Sequence, residues 1–256
     1  MLWTGWGDGY WNMAVDEWLL STAHQRPPTL RLYGWREPTV SLGRNERWQR
    51  VVSPKRLRQK EIRLVRRPTG GRAVLHHREI TYSVTGSPKK YTELGENLDD
   101  TLALISETLA LGLKHLGAEV QVARRDHPLP RNEGVCFEST TRYELSAVGR
   151  KLVGSAQFRT PTAFLQHGSM PLYSTLQDLK QVGPEPTGGV DDRQAADAMV
   201  PWTNRSLDGA GRVLVEAFAH RFRSSVKHMS LAAIDTPEVR RLVVGRYALR
   251  SWTYRR

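Results

Sequence analysis

The sequence has almost no cysteine: Cys136 stands alone among 256 residues. An internal disulfide is therefore excluded, and a reducing cytoplasm is the expected compartment. No apolar run approaches the roughly 20 residues that cross a bilayer, so no membrane is expected as a partner. The opening stretch, MLWTGWGDGYWN, lacks a basic region followed by an apolar one and does not read as a signal peptide. Internal repeats and low-complexity segments are missing too. Acidic residues are scarce beside basic ones, 26 against 38, which leaves a formal net charge of +12. That excess favours an anionic partner, whether nucleic acid, a phosphorylated ligand or an acidic protein. Zinc-knuckle spacing, a basic zipper and a ribonucleoprotein aromatic motif are all lacking, so nucleic acid is not expected. The densest basic stretch, KRLRQKEIRLVRR, alternates with apolar residues and reads as the solvated side of an amphipathic element.

What is present is an ordinary globular composition, 39% hydrophobic and 25% charged, with enough length for a substantial core. Trp11 to Ala23 carries apolar residues at helical spacing, with Asn12 as a plausible cap. Thr29 to Trp35 and Thr39 to Gly43 read as strands. Pro54 to Lys60 reads as a short helix and Ile62 to Val65 as a strand. Ala73 to His76 and Glu79 to Val84 are two further strands. Asn97 to Leu116 is the clearest helix, capped by Asn97 or Asp99. Strands are expected at Glu119 to Ala123, Tyr143 to Val148, Lys151 to Arg159 and Phe164 to Leu172. Gln181 to Arg193, rich in glycine, proline and acid, reads as an exposed loop. Ser206 to Phe222 is a helix, and Thr236 with Pro237 marks another start. The tail YALRSWTYRR gives no clear signal. Strands and helices without regular alternation predict an α+β fold, a mixed, largely antiparallel sheet packed with helices. A single domain is expected over 1–256, with 179–256 as a C-terminal helical part.

Two stretches carry candidate chemistry. RRPTGGR places Gly70 and Gly71 in a tight loop between strands, crowded by Arg66, Arg67 and Arg72. Adjacent glycines let backbone approach a ligand and present N–H groups to an anion or carbonyl oxygen. A plain hairpin turn is the alternative. The second stretch is Gly134 to Gln157. Cys136 follows a polar loop and precedes Glu138, Ser139 and Thr140, which leaves its thiol reachable. It is either a small buried hydrophobe or a nucleophile. A free thiol, with pKa about 8.5, is only a few per cent thiolate at pH 7, so a nearby cation would activate it. Arg150 and Lys151 are the nearest cations with a placed backbone, and strand alternation sends them to opposite faces. His167 lies in a later strand; such a histidine is either a satisfied structural group or a proton acceptor beside a thiol.

These stretches, taken in order, resemble the lipoate–protein ligase, octanoyltransferase and biotin ligase superfamily. NMAVDEWLL, SLGR, RRPTGGRAVLHHREITYSV, CFESTTRYELSAVGRKLVGSAQ and QHGSMPLY carry the likeness. Cys136-Phe137, Tyr143-Glu144-Leu145 and Gly149-Arg150-Lys151 match the cysteine-dependent octanoyltransferases of the superfamily, as does the GGRAV form of the loop. One position departs: His77 stands where the family usually has Asp. The resemblance implies transfer of an octanoyl group from octanoyl-acyl carrier protein to a lysine. The acceptor would be a lipoyl domain or a glycine cleavage carrier protein. It implies Cys136 as the acylated nucleophile and Lys151 as the group that ionises it. Backbone N–H groups of Gly154, Ser155 and Ala156 would hold the oxyanion. Arg66, Gly70, Gly71 and His76 would wall an acyl tunnel, closed on its other side by His167 and Gly168. Neither cofactor nor metal is implied. Alternatives are an ATP-dependent lipoate–protein ligase, an octanoyl amidotransferase between lipoyl carriers, and a non-enzymatic nucleic-acid binder.

Overall fold

The computed structural model describes residues 2–124, 143–147, 150–171, 182–184 and 207–256. An N-terminal strand β1 (Leu2–Gly7), which sequence patterning did not reveal, leads into helix α1 (Gly9–Ser21). Asp8 caps that helix, its carboxylate accepting from the N–H groups of Tyr10 and Trp11, each at 2.9 Å. Asn12, the residue expected to cap it, lies inside the helix and is fully buried.

Strands β2 (Thr29–Trp35), β3 (Thr39–Leu42), β4 (Arg63–Arg66), β5 (Val74–His76) and β6 (Glu79–Gly86) follow, with the short helix α2 (Pro54–Gln59) before β4. Helix α3 (Leu98–His115) starts in a reciprocal capping box. Asn97 accepts from the Asp100 N–H at 2.9 Å, and Asp100 accepts from the Asn97 N–H at 3.3 Å. Next come β7 (Val120–Arg124), β8 (Tyr143–Ala147), β9 (Arg150–Arg159) and β10 (Phe164–Pro171). Helix α4 (Leu207–Arg221), helix α5 (Pro237–Leu242), a π-helical turn (Val243–Tyr247) and a final turn α6 (Arg250–Thr253) close the described chain.

The larger sheet has the order β1-β2-β6-β10-β9-β8-β7, and only its β1–β2 pair is parallel. The smaller has the order β4-β3-β5, with β3 parallel to β4 and antiparallel to β5. The glycine loop between β4 and β5 therefore passes over β3. A plain hairpin turn is ruled out.

Helices α3 and α4 cover one face of the large sheet, where Leu32, Tyr82, Ile105, Leu109, Phe164 and Leu214 form the main core. Each such side chain contributes about 1.5–3 kcal/mol on burial. Helix α1 covers the opposite face and is itself covered by the C-terminal segment, through Ile234, Val239 and Tyr247. Beside Tyr33 and Trp35, several strand residues on this face are polar yet buried: Arg31, Thr81, Ser83, His167 and Ser169. A polar strand face shielded from water needs partners for every group.

Two further expectations are corrected. In the basic stretch, Arg58 and Arg63 are exposed, but Arg66 and Arg67 are buried. In the loop expected to be exposed from Gln181, Val182 is fully buried. Its carbonyl accepts from the Ser53 N–H at 2.7 Å, and the Gly183 carbonyl accepts from Arg56 at 3.0 Å.

Candidate active site

Under α1 a buried charge network is anchored by Asp16. Its Oδ1 accepts from Arg31 Nη1 at 2.6 Å and from the Ser83 hydroxyl at 2.8 Å. Its Oδ2 accepts from the Tyr33 hydroxyl at 2.9 Å and pairs with His167 Nδ1 at 2.9 Å. Burial alone would raise the Asp16 carboxyl. The Arg31 guanidinium and His167 outweigh it and hold Asp16 below the usual carboxylate range. Burial pulls His167 the other way, below its ordinary value, with Arg67 and His76 adding to the effect and Asp16 opposing it. The imidazole is thus neutral near pH 7. Its Nδ1–H donates to Asp16, because a carboxylate only accepts, and Nε2 accepts from the Thr69 hydroxyl at 2.6 Å.

A second carboxylate, Glu79 at the start of β6 in the large sheet, repeats the pattern toward the small sheet. Glu79 Oε1 meets His76 Nδ1 at 2.8 Å, and His76 Nε2 meets the Ser41 hydroxyl at 2.7 Å. The Thr81 hydroxyl also donates to Oε1, and Ser169 donates to Oε2 at 2.6 Å. Trp35 stacks on His76, ring centroids 3.9 Å apart, and its N–H donates to Thr81 at 2.7 Å.

Arg67 ties the two chains together. Its Nε donates to Thr69 and to the Gly70 carbonyl, both at 3.2 Å. Nη1 reaches the carbonyl and hydroxyl of Ser41, at 2.9 and 3.1 Å, while Nη2 holds the carbonyls of Gly70 and Arg72, both at 2.7 Å. One guanidinium therefore knits the whole glycine loop. Gly71 takes a positive φ of 86° at its turn. Gly43 approaches so closely that an added Cβ would sit 1.8 Å from the Gly71 carbonyl oxygen.

Between these chains lies a cavity with about 360 Å³ of empty space, its mouth included. His76, Ser41 and Val74 line one wall; His167, Gly168 and Ser169 line the other. Met13, Tyr33, Trp35 and Thr81 are also in its lining, with Gly154, Ser155, Ala156 and Arg67. The structure thus brings together the expected His76, Gly154, Ser155, Ala156, His167 and Gly168. Gly71 packs beside this strand, 3.8 Å from Ala156 measured from an added Cβ. Gly70 serves through its carbonyl, which Arg67 holds.

Arg66 is placed elsewhere, and the expectation of a slot-facing cation moves to Arg67. The Arg66 guanidinium donates to the carbonyls of Gly43, Glu46 and Thr253, at 2.7 to 3.0 Å. It clamps the C-terminal turn to the small sheet. Burial, with Arg255 beside it, lowers Arg66 to about 10. Lys151 lies on β9, half-buried and opposite Ser146. Three residues of strand, roughly 10 Å, separate it from Gly154 at the cavity. Cys136 falls outside the described residues. Strand β8 pairs with β9 only as far as Val153, while β10 pairs with β9 from Gly154 onward. Along Gly154 to Ala156, the β9 edge away from β10 faces no strand among the described residues.

Sequence reasoning missed Asp16, Arg31, Tyr33, Ser41, Glu79 and Ser169. Ser41 stood in the quoted SLGR stretch, and Glu79 three residues after His76. Asp16 stood in the quoted NMAVDEWLL stretch, but its partner His167 lies 151 positions away, so the pairing could not be read.

A family model described as lipoyl protein ligase A/B catalytic domain matches residues 8–222. Octanoyltransferase LipM of Kyrpidia tusciae is 37% identical over 272 residues, covering 100% of this chain and 98% of that protein. Octanoyltransferase LipM of Bacillus anthracis is 33% identical over 264 residues, covering 96% and 94%. Among solved structures, protein Ta0514 of T. acidophilum with bound lipoic acid superposes with a TM-score of 0.79 at 19% identity, covering 100% of this chain and 97% of that one. A lipoate-protein ligase A bound with ATP gives 0.78 at 20% identity, covering 99% and 96%. At those identities the likeness to the solved structures is one of fold. The family model and the full-length sequence relatives go further: the chain belongs to the lipoyl protein ligase A/B catalytic-domain family, and these relatives are octanoyltransferases.

Proposed function

We propose that the chain transfers an octanoyl group from octanoyl-acyl carrier protein to a lysine of a lipoyl domain or glycine cleavage carrier protein. This supplies the eight-carbon chain for lipoate biosynthesis. The observation that carries the reading is identity of 37% to an octanoyltransferase along the entire chain. The cavity supports it. It opens between His76 and His167 and sets Trp35, Val74 and Ala156 beside them, an apolar lining of the kind an acyl chain needs.

In the proposed mechanism the Cys136 thiolate attacks the thioester carbonyl. The new carbon–sulfur bond forms as the bond to the carrier's thiolate breaks, and that thiolate takes up a proton. The acyl group then rests on Cys136. The acceptor lysine, as a neutral amine, attacks the same carbonyl and expels the Cys136 thiolate, leaving an amide and releasing one proton. Lys151 serves as the cation that favours the thiolate. Backbone N–H groups of β9 near Gly154 to Ala156, on the edge that faces no strand among the described residues, stabilise the oxyanion. The cavity between His76 and His167 holds the chain.

The basic excess suits acidic carriers by raising encounter rates. The chain acts as one domain over 1–256, with the C-terminal segment completing the cover over α1. It works in the cytoplasm; among the described residues no helix is long and apolar enough to cross a membrane.

The test is intact-mass spectrometry after incubation with octanoyl-carrier protein. Cys136 should gain about 126 Da, the mass of an octanoyl group replacing a proton. Cys136→Ser should lose both adduct and transfer while keeping its circular dichroism. No adduct on the unaltered protein, together with lipoate attachment that requires ATP, would refute the reading in favour of a ligase.

A further inference from the structure

We propose that the cavity selects acyl chains that carry no polar substituent, and that Glu79 sets this preference without touching the chain. The inference rests on the octanoyl-transfer reading and names the substrate class of that same site.

The lining looks wrong for a hydrocarbon. Ser41, Thr81, Ser169, His76 and His167 all contribute to it. Proton accounting resolves the conflict. A carboxylate only accepts hydrogen bonds, so Thr81 and Ser169 must both turn their hydroxyl hydrogens toward Glu79. His76 turns its Nδ1–H to the same group. Trp35, stacked on His76, places its N–H on the Thr81 oxygen. Asp16 does the same on the other wall for Tyr33 and His167. Among the described residues, the only buried side-chain polar atoms without partners are Arg26 Nε and Thr85 Oγ1, and neither lines the cavity. Donor hydrogens on the Glu79 wall are thus directed away from the space, which meets the chain with carbon.

A carbonyl carried on the acyl chain against this wall, away from the Gly154 to Ala156 edge, would leave water and find no side-chain donor there among the described residues. The unmet burial corresponds to a loss of about tenfold to hundredfold. Glu79 is a positioning residue in this scheme. Its own side chain is fully buried and lies behind the lining. Glutamine at 79 keeps the shape but offers a single oxygen to three donors. At least one of those hydrogens is then released toward the cavity, where a chain carbonyl can accept it.

The experiment compares octanoyl-pantetheine with 7-oxooctanoyl-pantetheine as donors to a lipoyl domain, reading kcat/KM for each. The unaltered protein should favour octanoyl by at least about tenfold. Glu79→Gln, checked for folding by circular dichroism and thermal melting, should shrink that ratio to below about threefold through the 7-oxo substrate. Should Glu79→Gln fail to fold, Glu79→Asp carries the same expectation, since its shorter arm cannot reach all three donors. Equal rates for the two donors in the unaltered protein would overturn the inference and leave the octanoyl reading intact. So would an unchanged ratio in a folded, active Glu79 variant. Absence of octanoyl transfer by the unaltered protein would sink the functional reading, and this inference with it.

Discussion

Replacing Asp16 with Asn tests the charge network under α1 most directly. Asp16 and Arg31 face each other at 2.6 Å with both side chains fully buried. In the variant the amide oxygen must face the Arg31 donor, so the amide nitrogen faces Tyr33 and His167. Two effects follow. The buried guanidinium loses its counter-charge, which costs about 3–5 kcal/mol when one partner of a buried pair is removed. His167 must also exchange tautomers: Nδ1 accepts from Asn, Nε2 carries the proton, and the Thr69 hydroxyl hydrogen is turned loose beside the cavity. For a chain of this size the energetic effect corresponds to a fall in Tm of about 6–20 °C. Urea titration followed by tryptophan fluorescence measures it, with Arg31→Met and the double variant completing a cycle. The double variant should be less destabilised than the sum of the single ones, because Met removes the stranded charge. A cost below about 1 kcal/mol for Asp16→Asn, or strict additivity in the cycle, would refute the account.

The depressed His167 value predicts a pH dependence with a definite sign. The unfolded chain binds a proton below about pH 6.5 while the native imidazole does not, so stability is full above that value and declines beneath it. The slope reaches at most about 1.4 kcal/mol per pH unit, and His167→Gln should abolish this component in urea titrations near pH 7.5 and about pH 5.5. The Asp16 contribution has a separate, lower window: its depressed value favours the native state above about pH 3.9 and is lost as acid protonates it. Gly43→Ala should lower Tm and slow transfer together, since its Cβ would meet the Gly71 carbonyl at 1.8 Å and push aside the loop that Arg67 holds. Its cost should be about 1–3 kcal/mol. Gly70→Ala, where an added Cβ meets nothing within 4 Å, should unfold like the parent within about 0.5 kcal/mol.

The parts of the fold written in local chemistry were legible. The span of β2 was read from alternation alone, and α3 from periodicity, with Asn97 or Asp99 as its cap, of which the structure takes Asn97. Thr236 and Pro237 marked the start of α5. Strand β1 escaped because its glycines blur the pattern and Gly5 takes a positive φ of 63° at a break in its register with β2. The site was legible where a motif names it and opaque where it depends on which face is buried. Alternation along β6, with Ile80, Tyr82 and Val84 between Glu79, Thr81 and Ser83, ordinarily means one face in water. Here α1 covers the polar face, so the residues that a pattern assigns to solvent build the cavity wall. The basic run before the glycine loop misled for the same reason. Arg66 and Arg67 look like two more surface charges until the carbonyls they hold are placed around them.

The clamp made by Arg66 also has a temporal side. Its guanidinium grips the carbonyl of Thr253, a residue translated 187 positions later, and the Trp252 indole reaches back to the Arg66 carbonyl at 2.9 Å. While the ribosome is still making the middle of the chain, that arginine has no distant oxygen to hold. The glycine loop next to it is then unanchored on that side. Competence should therefore arrive late in biosynthesis, as a single closing step, and a nascent chain stalled short of Trp252 should have its sheets but no finished acyl slot.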